Sequence, residues 1–179
     1  MKRHTAKLLK ILTTRRVSFI LLIVLLILVL AAMQKFLICL LLIITGGLSV
    51  LYKRFISIGL GIDLMTFNTV IAAMKYGAWT GVIVGIATVL FGYIISNKVA
   101  KSPQGMIINV VMFILIAIAA ATQPITSIVA TGIIISIAYA IIYFPISMVT
   151  GGNLQKLLIF FPTHIAWNVF LFLHFGPLI

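Results

Sequence analysis

Asp63 is the only acidic residue in a chain that carries thirteen lysines and arginines. It sits in GLGIDLMTFN, inside an apolar stretch, where an ionised carboxylate costs roughly 3 kcal/mol or more unless it is paired or wetted. One reading makes Asp63 a contact for a solute or ion on the bundle interior, with Thr66 and Asn68 adding polarity about a turn further on. The other makes it a structural partner of a basic residue such as Arg54. Gly59 and Gly61 favour the first, because irregular backbone at membrane depth is tolerated only where it is buried in protein or lines a cavity.

A second polar group lies near the C-terminus. His164 and Asn168 stand four apart and share a helix face, with Trp167 beside them. They form either a ligand-facing cluster or interhelical hydrogen bonds, typically worth about 1 kcal/mol. This HxxxN is similar to one motif of the intramembrane CAAX-processing proteases. Those enzymes also need paired glutamates, and the chain has no Glu, so a catalytic water would lack its general base. His174 reads as interfacial, and Asn109 and Gln123 as polar glue and turn capping. Three histidines, one aspartate and the lone Cys39 show no metal-ligand spacing and no disulfide frame. No nucleophile triad or phosphate-cradling loop is visible. No catalytic residue, metal or cofactor is expected, and the chain does not read as an enzyme.

The elements that must hold these residues are membrane helices. Apolar residues make up 64% of the 179, charged residues only 8%, and mean hydropathy is +1.35. A span needs roughly 20 apolar residues, and apolar stretches fall near 17–33, 36–51, 56–74, 79–96, 106–122, 125–148 and 157–175. Polar or glycine-rich punctuation separates them: Gln34-Lys35, Tyr52-Lys53-Arg54, Lys75-Tyr76-Gly77, Asn97 to Gly105, Gln123-Pro124 and Gly151-Gly152-Asn153. The fold class is an all-α polytopic bundle of six or seven transmembrane helices, with residues 17–179 as one membrane domain behind a basic segment, 1–16.

Charge sets the orientation. Lys2, Arg3, Lys7, Lys10, Arg15 and Arg16 precede the first span, which reads as a cytoplasmic N-terminus held against anionic lipid. With seven spans, eleven basic residues fall inside, and only Lys35 and Lys75 outside. Treating 17–51 as a single element lowers the count to seven inside and five outside. The basic start and Val17–Leu30 also have the layout of a secretory leader, but a second apolar stretch follows at once, as in polytopic proteins. The net charge of +12 does not point to nucleic acid, because the basic residues are not interleaved with aromatics on a folded face. The partner that composition implies is the lipid bilayer of the cell membrane.

Gly77, Gly81, Gly85 and Gly92, with Thr88 between, make a smooth stripe along one helix. Small residues at this spacing let backbones approach closely, either inside the bundle or against a partner membrane protein.

The stretch ISIGLGIDLMTFNTVIAAMKYGAWTGVIVGIATVLFGYII resembles the core of the substrate-binding S-components of energy-coupling-factor vitamin transporters, with Tyr76, Gly77, Trp79, Gly81 and Gly85 at the matching turn and glycine-rich helix. The resemblance implies a six-helix subunit that captures a vitamin-like micronutrient, a small-molecule solute, on the outer side. A separate transmembrane coupling subunit with ATPases would then drive transport. The competing class is a non-catalytic scaffold, similar to the rod-shape-determining membrane family. A binding subunit needs a polar interior cavity, whereas a scaffold needs a filled interior and an outward glycine stripe.

Overall fold

The computed structural model of the chain describes residues 2–56, 59–99, 102–123 and 127–179. Lys101 and Pro124, assigned above to loops, lie outside the described residues. Every regular element among the described residues is helical: α1 (Lys2–Leu48), a 3₁₀ turn (Leu51–Arg54), α2 (Met65–Tyr76), α3 (Ala78–Ile95), α4 (Pro103–Thr122), α5 (Ile128–Val149), α6 (Leu154–Phe175) and a terminal 3₁₀ turn (Gly176–Leu178). Five of these helical segments are long and apolar enough to cross a membrane. The protein is an all-α, multi-pass helical membrane protein.

The chain divides into two units, residues 1–38 and 39–179. The first is part of α1. From Val17 to Leu30 it is apolar except for Ser18, and a helix that is apolar all round belongs in a membrane or a protein core. Gln34 and Lys35, expected to form a turn between two spans, lie within this helix. Both are good helix formers and neither Gly nor Pro stands beside them, so the polar pair carries no stop signal. The chain turns instead after Gly46-Gly47. The described residues therefore hold six α-helices, within the six or seven expected, because the apolar stretches 17–33 and 36–51 are one helix.

The second unit is built around α2. Met65 through Ala73 are all buried, and α3, α4, α5 and α6 all pack against this helix. At 12 residues it is about 18 Å long, too short to cross a core of about 30 Å unaided. The span expected over 56–74 is shortened because Gly61 takes φ +66°, and helix begins only at Met65.

The glycine stripe explains how α3 reaches this axis. A Cβ on Gly81 would meet Ala73, one on Gly85 would meet Thr69 and Phe113, and one on Gly92 would meet Met65 and Val50. The partners descend as the glycines ascend, which is antiparallel helix pairing with α2. The stripe is consumed inside the bundle. Gly77 has another role: with φ +91° it ends α2 and starts α3 in a tight turn that few other residues could adopt.

Asn68 braces the same core. Its amide donates to the Leu42 carbonyl at 2.7 Å and lies 3.1 Å from Thr45 Oγ1, tying α2 to the end of α1 by bonds that hydrocarbon cannot supply.

Candidate solute-binding site

Between α1 and α2 the chain leaves helical geometry. The N–H of Leu60 is satisfied by the Tyr52 hydroxyl at 3.1 Å, and that of Leu64 by Ser49 Oγ at 2.9 Å. Side chains thus replace the missing helical bonds, as buried backbone requires. This segment carries Asp63 to the rim of a cavity of about 350 Å³. The wall is completed by the C-terminal end of α3, the N-terminal end of α4, the C-terminal end of α5 and the N-terminal half of α6. The described residues of three connections, 51–56 with 59–64, 96–99 with 102, and 150–153, therefore meet at one end of the second unit. Pro145 in α5 and Pro162 in α6 lie at that end, each removing one helical N–H donor.

Asp63 is 6% exposed and forms an ion pair with Lys53 Nζ at 3.4 Å. The partner is Lys53, not the neighbouring Arg54 named in the sequence reading. Thr66, one turn into α2, also lines the cavity. Its hydroxyl is fully buried and has no hydrogen-bond partner among the described residues.

His164 forms part of an aromatic wall. Its ring stacks on Phe160 (5.1 Å between centroids, 20° between planes) and tilts against Tyr139 at 5.0 Å. Tyr139 stacks on Tyr143 (5.3 Å, 14°), and Tyr143 returns to Phe160 at 5.7 Å. Four rings thus close a cycle, and all four border the cavity. Asn109 braces this wall: its amide donates to the Tyr93 hydroxyl at 2.9 Å, while its carbonyl accepts from Tyr139 at 3.2 Å. The polar glue read from sequence is therefore part of the cavity wall.

Of the residues singled out in the sequence, Asp63, Thr66 and His164 come together around the cavity. Asn68 is used at the α1–α2 contact. Asn168 is buried one turn beyond His164, donating to the His164 carbonyl at 2.9 Å. Trp167 stacks on Phe170 at 5.7 Å. His174 is exposed and lies 2.9 Å from the Phe170 carbonyl. Sequence reasoning missed Lys53, Lys98 and Lys156, which all border the cavity, and the tyrosines of its wall. Lysines at the ends of apolar stretches and tyrosines within them were the available signals.

The arrangement gathers hydrogen-bonding groups, charge and aromatic rings around one partly open space. Among the described residues no three of His, Cys, Asp and Glu meet as a metal site. No family model matches the chain, nor does any curated protein or solved structure.

Proposed function

We propose that the chain is a membrane-embedded subunit that binds a small solute for transport, of the S-component kind its central stretch resembles. The observation that carries this reading is the cavity beside Asp63, Thr66 and His164. Its volume of about 350 Å³ falls in the range of roughly 300–1,000 Å³ typical of small-molecule sites. The subunit is non-catalytic and holds its solute by non-covalent contacts.

In this reading the N-terminus is cytoplasmic in the cell membrane and the cavity opens to the outer side. A transmembrane coupling subunit with ATPases supplies the driving force. The scaffold reading is less favoured, because the glycines it would present to a partner are used between α3 and its neighbours.

The test is to purify the chain from its own membrane and search its denatured extract for small molecules by mass spectrometry, with Asp63→Asn in parallel. A compound present in stoichiometric amount in the native chain and depleted in the variant is expected. No such compound in either would contradict the proposal.

A further inference from the structure

Tyr93, Asn109 and Tyr139 border the cavity from α3, α4 and α5, and their hydrogen bonds leave one donor over. The Asn109 amide nitrogen lies 2.9 Å from the Gly105 carbonyl. A carbonyl only accepts, so the NH2 end of the side chain must face it. That contact settles which way the amide points, since nitrogen and oxygen are told apart by their partners. The same NH2 group gives its second proton to the Tyr93 hydroxyl at 2.9 Å, and the Asn109 carbonyl accepts from Tyr139 at 3.2 Å.

Both amide protons are thereby used, and the role of Tyr93 is fixed. Its oxygen accepts from Asn109, so its own proton must turn elsewhere. Among the described residues that proton has no acceptor, the bond from Asn109 being the one its hydroxyl makes. Tyr139 is 5% exposed and its proton is spent on Asn109. Tyr93 is only half-buried, so of these two phenols it is the one left for a ligand.

We infer that Tyr93 is a specificity-determining residue of the cavity, donating its hydroxyl proton to an acceptor on the solute that carries no proton of its own: a carbonyl or carboxylate oxygen, or a ring nitrogen. This rests on the solute-binding reading above and deepens it. Ligand sites fix orientation with a few placed polar groups, and a site built to bond one group discriminates against analogues that lack it. Asn109 supplies the placement here. By holding the hydroxyl as a donor, it sets a solute N–H at that point against the outward proton. A lipid ester carbonyl offers the same acceptor chemistry, and the test separates the two sources.

The chain, labelled with 3-fluorotyrosine, is placed in nanodiscs of diether phosphatidylcholine, which has no ester carbonyl, and in the diester equivalent. Each is titrated with pyridine and with pyrrole at mildly alkaline pH. The rings are similar in size, but uncharged pyridine offers only an acceptor nitrogen and pyrrole only an N–H donor. Binding is read from the fluorine resonances of Tyr139 and Tyr143, assigned with Phe variants. Pyridine should bind more tightly than pyrrole, and Tyr93→Phe should weaken pyridine about three- to tenfold while leaving pyrrole unchanged. Tyr76→Phe, by the turn at the far end of α2, should alter neither. Should Tyr93→Phe lower Tm enough to obscure its affinity, the difference between the two probes in the native chain decides. Equal affinity for both probes, or undiminished pyridine binding in folded Tyr93→Phe, overturns the inference and leaves the solute site standing. No saturable response to either probe in either lipid overturns both. A Tyr93 resonance that moves between the two lipids, with pyridine binding only in the diether, assigns the acceptor to a lipid and overturns the inference.

Discussion

Gly61 rests directly on the backbone of His164: a Cβ at position 61 would lie 2.7 Å from His164 Cβ and 2.9 Å from both Cα and N. This contact seats the segment that carries Asp63 against the helix that carries the aromatic wall. It also fixes the residue type, because Gly61 combines φ +66° with a neighbour that is backbone and cannot yield.

Gly61→Ala should therefore lower stability by about 1–3 kcal/mol, read as a lower Tm in detergent. Gly59→Ala is the control, since its Cβ would meet only Phe160 at 3.8 Å. Equal Tm values for both variants would show that the segment does not rest on α6.

Along α3 the glycines should differ in tolerance. A Cβ on Gly81 would fall 2.5 Å from Ala73 Cβ and 2.7 Å from its Cα, whereas one on Gly92 would meet only side-chain ends, Met65 at 2.5 Å and Val50 at 2.8 Å. Gly81→Ala should reduce folded yield more than Gly92→Ala, and Gly81→Leu should abolish it. Unchanged folding of Gly81→Leu would remove the antiparallel pairing from the account.

The Lys53–Asp63 pair predicts a specific coupling. Asp63→Asn leaves an ammonium without its partner in a half-buried position and should cost about 1–3 kcal/mol. Adding Lys53→Gln should recover part of that loss, with an interaction energy of roughly 0.5–2 kcal/mol in the double-mutant cycle. Arg54→Gln should combine additively with Asp63→Asn, because Arg54 is not the partner. Coupling through Arg54 and none through Lys53 would reverse the assignment.

Asn68→Leu separates bracing from binding. It removes the bonds to Leu42 and Thr45 and should lower Tm, at about 1 kcal/mol, without depleting a co-purifying solute. Solute loss at unchanged Tm would move Asn68 into the site.

Much of the site was legible because its key residues are rare in their setting. A lone carboxylate in an apolar run must find a partner or a cavity, and Asp63 has both. Gly59 and Gly61 signalled broken helix just before it. Helical spacing placed His164 and Asn168 on one face, but it does not show which of them reaches the cavity: His164 lines it and Asn168 does not. Gln34-Lys35 was read as a turn because polarity inside an apolar run resembles a boundary, although both residues favour helix. The lysines of the cavity were not legible as a group. Lys53 and Lys98 come from two separate connections and Lys156 from the first turn of α6, and they meet only through antiparallel helix packing, which local pattern does not encode.

The most direct test of the central claim is an experimental density map of the chain purified from its own membrane without solute exchange. The account predicts non-protein density of small-molecule size between Asp63, Thr66 and His164, with Lys53 still beside Asp63. A cavity filled by side chains or by a lipid acyl chain would contradict it.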